Sequence, residues 1–215
     1  MDVIRQLDEA IERRSLLRHP FYTKWVAGEL PRAALQEYAR QYYAFEATFP
    51  RFLSALHSRS DRPDVRAAIL DNLWDEEHGE ANHQELWLRF AEGIGVERGD
   101  VRSAPRNDAT QGLVDTYWRS ATEAPVAAGV AALYAYERQV PAVATAKIEG
   151  LRRWYGVEDE RTLGFFQEHG TLDVEHAGAE RRIVAELGRG HEAEVLDAAD
   201  AALEAWWRFL GAVDA

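Results

Sequence analysis

At 215 residues and 47% hydrophobic content, the chain is long enough to bury one substantial core and short for two, so a single domain over residues 1–215 is expected. Its 25 Lys and Arg against 37 Asp and Glu leave a net charge of −12, which argues against nucleic acid or an anionic membrane surface as partners. The absence of cysteine excludes disulfides, thiolate metal sites and a cysteine nucleophile. No apolar stretch reaches membrane length and Met1-Asp2-Val3-Ile4-Arg5 does not open a signal peptide, so a cytoplasmic protein is expected.

Apolar residues recur at intervals of three and four without an alternating strand pattern, which predicts an all-α bundle of seven helices. The first runs from Asp2 to Leu17 and stops before His19-Pro20, since the residue before proline leaves the α region. The second begins near Pro31 and continues toward Arg59, with a kink or break at Pro50. The third restarts at Asp61 to Pro63 and ends near Glu92, before Gly93-Ile94-Gly95. Residues 95–108 form the longest loop. A short fourth helix carries Leu113, Tyr117 and Trp118, and the fifth starts at Pro125. Pro141 removes the N–H that would bond the carbonyl of Glu137, so a bend is expected at that residue. The sixth and seventh helices cover 159–187 and 191–212.

The segment His169-Gly-Thr-Leu-Asp173-Val-Glu-His176 carries the chemistry. At roughly 100° per residue, positions i, i+4 and i+7 fall within about 60° of one another, so both imidazoles and the carboxylate share one helix face. Iron, manganese and zinc all accept such a set. Glu76 and His83, seven residues or two helical turns apart on the third helix, share a face. In Leu133-Tyr-Ala-Tyr136-Glu137-Arg-Gln-Val140 a single carboxylate sits in an apolar run, where it needs a partner or a metal. Glu76, His83, Glu137, His169, Asp173 and His176 together suit two metal ions, with positions left open for dioxygen or water. His19, His57, His78 and His191 are assigned surface or core roles, and Glu77, Glu80 and Glu85 solvent roles. Ferritin-like sites use two Glu-x-x-His motifs and the chain has one, Glu80-Ala-Asn-His83, which points to a different dimetal scaffold.

At these residues the chain resembles the heme-oxygenase-like diiron oxidases, of TenA- and PqqC-like fold. Within them it is similar to the Chlamydia protein associating with death domains and its p-aminobenzoate-forming bacterial relatives. The strings that carry the resemblance are His19-Pro-Phe-Tyr22-Thr-Lys-Trp25, Phe49-Pro50, Leu53-Ser-Ala-Leu-His-Ser-Arg59, Asp71-Asn-Leu-Trp-Asp-Glu-Glu77, Ala127-Ala-Gly-Val-Ala-Ala-Leu-Tyr134, and Glu168-His169 through His176. The family's ligands fall on the six residues above.

The resemblance implies that an Fe/Fe or Mn/Fe centre, with dioxygen and an external reductant as co-substrates, excises the side chain of Tyr22 once per polypeptide. The resemblance assigns nitrogen donation to Lys147 and a supporting role at the site to Tyr136. A family tyrosine four residues before the first His of the triplet is replaced here by Phe165, which removes a phenol from that place. A homodimer is left open.

Three rival functions make different demands on the chain. A thiaminase on the same fold needs a cysteine, and the chain has none. A dimetal oxidase acting on an external amino acid or fatty acid predicts many turnovers and an intact Tyr22. A non-enzymatic interaction protein predicts function that survives metal loss.

Overall fold

The computed structural model describes residues 2–214, which form an all-α structure with no strand among them. Twelve helices and one 3-10 turn follow in chain order: α1 (Val3–Arg13), the turn Leu16–Arg18, α2 (Pro20–Ala27), α3 (Arg32–Glu46), α4 (Phe49–Arg59), α5 (Pro63–Glu77), α6 (His83–Gly93), α7 (Arg98–Ser103), α8 (Asp108–Thr122), α9 (Val126–Glu137), α10 (Val140–Trp154), α11 (Glu160–Leu187) and α12 (Glu192–Val213). The all-α class is as expected, whereas the count of seven is not.

The extra elements have local causes. Gly79, at φ +83 just beyond α5, takes a left-handed conformation that an L side chain resists, so the helix expected to span Glu76 and His83 is two helices. The second of them is capped by Asn82, whose side chain accepts from Glu85 N–H at 3.0 Å. Pro50 occupies the first turn of α4 rather than kinking a continuous helix. Pro141 likewise opens α10, so the chain breaks after Glu137 instead of bending there. Residues 20–27, left without a helix by the sequence pattern, form α2. His19 Nδ1 caps it by accepting from Phe21 N–H at 3.1 Å, Pro20 fills its first position, and Gly28 at φ +74 ends it. The expected loop at 95–108 contains α7.

Helix α9 runs through the centre and is buried from Ala127 to Glu137. Its small residues let neighbours approach closely: a Cβ on Gly129 would lie 2.5 Å from Leu56 and 2.7 Å from the Ser120 carbonyl. Helices α11, α12 and α8 pack around it, and α6 and α10 lie on α11. The buried apolar side chains form one cluster, each contributing about 1.5–3 kcal/mol where fully buried. Among the described residues no helix is long and apolar enough to cross a membrane.

Candidate metal centre

Five helices converge on a buried group of carboxylates and imidazoles. Helix α11 is the one that passes through uninterrupted, and it supplies His169, Asp173 and His176 from one face. The other donors sit at helix ends, where the chain breaks beside the site. Glu76 is in the last turn of α5, His83 is the first residue of α6, and Glu137 is the last of α9. The six residues named from sequence are all buried and are brought together. Glu76 and His83 meet across the Gly79 break rather than along one helix, with Glu76 Oε1 2.9 Å from His83 Nδ1.

A seventh carboxylate, missed in the sequence, joins them. Glu46 ends α3, is 2% exposed, and places a donor atom within 4.8 Å of those of His83 and His169. Glu137, Asp173 and His176 make a second such triad. Glu76 lines one cavity with members of both triads: its charge acts on Glu46 of the first, and the charge of Asp173 of the second acts on it. The signal that finds Glu46 is the one that found Glu137, a lone carboxylate among apolar residues, here Tyr42-Tyr43-Ala44-Phe45-Glu46-Ala47.

Hydrogen bonds around the cluster fix which nitrogen each histidine presents. His169 Nδ1 lies 2.9 Å from the Phe165 carbonyl, which can only accept, so Nδ1 carries the proton and Nε2 keeps the lone pair. His176 Nε2 lies 3.0 Å from Asp75 Oδ2. Its Nδ1 faces Asp173 at 3.6 Å and Glu137 at 4.0 Å. Such a carboxylate–histidine pairing orients imidazoles at metal sites. Asn72 Nδ2 donates to both Glu137 oxygens at 3.1 and 3.3 Å.

Glu46 Oε1 and Asp173 Oδ2 are buried and have no hydrogen-bond partner, and buried His83 Nδ1 lies close to Glu76 Oε1 without the geometry of a hydrogen bond. Unpaired buried polar atoms of this kind normally cost about 1–3 kcal/mol each, and divalent cations satisfy carboxylates and imidazoles together. The residues therefore fit a metal. Without that charge, burial pushes Glu46 and Glu76 well above the usual carboxylate range, Glu137 up to about 8, and Asp173 up as well. Burial drives His169 well below its ordinary value. Burial also pulls His176 down, but contact with Asp173 and the charge of Glu137 outweigh it and raise the imidazolium to about 9. The cluster thus holds protons that cations would displace.

Beside the metal-facing groups lies an aromatic box. Tyr136 and Tyr42 share a 2.6 Å hydroxyl contact. Tyr136 stacks on Trp206 with centroids 4.4 Å apart, and Tyr42 on Trp87 at 4.1 Å. Lys147, 4% exposed, donates to the Tyr38 hydroxyl at 2.7 Å, with Nζ 5.6 Å from the centre of the buried Tyr22 ring. The break after Glu137 starts α10 afresh, so the reach of Lys147 follows from that helix's own direction. Burial, opposed only by the charge of Glu46, lowers its amine to about 7. Phe165 is buried, 4.1 Å from His169 and 4.7 Å from Trp87 between ring centres. Of the other histidines, His19 is a buried cap and His78 stacks on exposed Trp74 at 3.9 Å.

Fold and site together define an all-α protein of heme-oxygenase-like fold with a buried carboxylate–imidazole centre suited to metal. Residues 36–207 match the family described as iron-containing redox enzyme, and the chain belongs to that family. It is 40% identical over 210 residues to the 4-aminobenzoate synthase of Chlamydia muridarum, covering 98% of this chain and 89% of the relative. The 4-aminobenzoate synthase of Nitrosomonas europaea is 39% identical over 220 residues, covering 97% of this chain and 89% of that protein. Among solved structures, a TenA homologue from P. horikoshii OT3 superposes with a TM-score of 0.80 over 99% of this chain and 98% of the other. At 15% identity, that likeness speaks to the fold alone.

Proposed function

We propose that this protein makes 4-aminobenzoate from its own Tyr22, with Lys147 as the nitrogen source, in one oxygen-dependent event per polypeptide. The relatives named 4-aminobenzoate synthase support the product. The observation that carries the route is the joint burial of Tyr22 and Lys147, with the amine 5.6 Å from the ring centre. An iron–iron or manganese–iron pair held by Glu46, Glu76, His83, Glu137, His169, Asp173 and His176 would supply the oxidising power of dioxygen, with an external reductant as co-substrate.

The tyrosine side chain already contains the product's benzene ring, a para heteroatom and one carbon opposite it. Breaking Cα–Cβ, oxidising Cβ to a carboxylate with dioxygen as the oxidant, and exchanging the phenol oxygen for the Lys147 nitrogen completes the conversion. The phenol oxygen is lost as water, and the Lys147 Cε–Nζ bond breaks as Cε is oxidised to an aldehyde. Lys147 is suited to give that nitrogen, because forming a C–N bond needs an unprotonated amine and burial brings its value to about 7. Tyr38 holds the amine by accepting its hydrogen bond. The Tyr42–Tyr136 hydroxyl pair lies on the wall of the metal-facing cavity and can hold a proton between Tyr22 and the donors. Phe21 and Trp25, both fully buried, keep water from the box.

That cavity, lined by Tyr42, Glu46, Tyr136 and His169 among others, measures about 10 Å³, whereas small-molecule sites span roughly 300–1,000 Å³. A ring already packed in the core beside Lys147 needs no such space, which favours Tyr22 over an external amino acid or fatty acid as substrate. A cytoplasmic setting suits a reaction that consumes reductant. The test is to load protein carrying ring-carbon-13 tyrosine with iron and expose it to dioxygen and reductant. Labelled 4-aminobenzoate is expected, with a matching loss from the intact protein mass, and Tyr22→Phe should release none. Unlabelled product from an added small molecule, or full activity of Tyr22→Phe, would establish the external-substrate oxidase instead.

A further inference from the structure

Glu180 is a buried acid that the proposed reaction does not use. It lies on α11 one turn beyond His176, is 5% exposed, and neither carboxylate oxygen has a hydrogen-bond partner. Asn72 on α5 is 4% exposed; its Nδ2 is committed to Glu137 and its Oδ1 is unpaired. Both residues line one cavity of about 10 Å³, walled by Ile69, Leu133 and Ile183 and reached by His176. That is room for a single water centre, and a water needs two to four polar partners to stay in such a place.

We infer that Glu180 and Asn72 hold one buried water between them, and that this link positions Glu137. The two residues leave three oxygens unpaired beside the cavity, so one of them must carry a proton for a hydrogen-bonded link to form. Buried with no charged or hydrogen-bonding partner, the Glu180 carboxyl favours its neutral, protonated form. Its O–H then donates to the water, and the water donates to Asn72 Oδ1. With Oδ1 occupied, the amide is locked with Nδ2 toward Glu137. Glu180 is thus a positioning residue acting through Asn72, in the manner by which outer groups orient metal-binding carboxylates.

The inference rests on Glu137 being a metal ligand, and the test separates the two. Metal-free wild type, Glu180→Gln, Glu180→Leu, Asn72→Leu and the double variant Asn72→Leu/Glu180→Leu are titrated with Mn(II), with free ion counted by electron paramagnetic resonance. Wild type should bind two equivalents. Glu180→Leu should lose about 10–100-fold at one of them, Glu180→Gln should keep its affinity because the amide still donates, and the double variant should bind no more weakly than Asn72→Leu. A second readout needs no metal: one band of the infrared carbonyl absorption of protonated carboxylic acids should be lost in Glu180→Gln, while those of Glu46, Glu76, Glu137 and Asp173 remain. Unchanged affinity in Glu180→Leu, multiplying effects in the double variant, or no such loss would overturn the link. Wild type that takes up no Mn(II) would overturn the metal centre itself, and the positioning role with it.

Discussion

The acidic cluster between α6 and α11 and the aromatic box around Lys147 are both closed to water, yet they resolve burial in opposite ways. In the cluster, desolvation raises Glu46, Glu76, Glu137 and Asp173, so acids hold protons that cations can replace. In the box, desolvation lowers Lys147 to about 7, so an amine gives its proton up. The same low dielectric disfavours charge of either sign. One region is thereby prepared to take up metal and the other to offer a free nitrogen, although they are linked through Tyr42, which touches Tyr136 and lies under the Lys147 amine.

Lys147→Met breaks the box without touching the cluster and has the largest expected effect. Product formation should fall to nothing while Mn(II) binding stays at wild-type affinity. Thermal stability should rise, because a buried amine that costs about 1–3 kcal/mol to desolvate is exchanged for an apolar chain of similar length. Product yield, metal titration and calorimetry on the same preparation check all three, and a lower melting temperature would show that the amine stabilises the fold. His83→Ala is the converse. It should weaken one metal position far more than the other and abolish product, with metal-free stability changed by only about 1 kcal/mol. The Lys147 titration, followed by nitrogen-15 NMR, should stay near 7. Wholesale unfolding would mark the site as structural.

How much of this was legible follows from where the donors sit. His169, Asp173 and His176 lie within a long continuous helix, so their spacing alone placed them on one face. Glu76 and His83 were the right residues for a geometric reason that fails, because Gly79 separates their helices and tertiary packing restores the contact. Glu46 and Glu137 each end a helix, where periodicity carries no information about direction. Glu180 was hidden by its neighbours Arg181 and Arg182, which make the segment look like a solvent face. Tyr22 was expected in a loop, since a short helix capped by a histidine side chain departs from the usual Ser, Thr, Asp or Asn signal.

A pH series tests the cluster's side of the comparison. Glu137 rises from an ordinary 4.5 to about 8 and His176 from 6.5 to about 9 on folding. Both folded-state values exceed the unfolded ones, so their stabilising contributions are complete at low pH and are lost as pH rises through 8 and 9. Metal-free protein should therefore melt at lower temperature as pH increases from 5 to 9. Metal uptake releases the same protons, so affinity should climb over that range. At a hundredfold excess of metal over Kd each occupied site adds about 2.7 kcal/mol, or roughly 5–10 °C per site for a chain of this size. A metal-free melting temperature that rises with pH would mean the carboxylates are already ionised.

The smallest expected effect is at Gly79, whose φ of +83 separates α5 from α6. A Cβ built there meets no atom within 4 Å, so Gly79→Ala introduces no clash and its penalty is confined to the backbone. A left-handed conformation costs an L residue about 1–2 kcal/mol, which should appear as a fall of a few degrees in melting temperature. Because Asn82 still caps α6 by accepting from Glu85 N–H, His83 should keep its place opposite Glu76, and metal affinity should change less than threefold. A tenfold loss would mean that the glycine conformation itself sets the position of His83. The Lys147 titration, which depends on α10 and α3 rather than on this turn, should not move in either case.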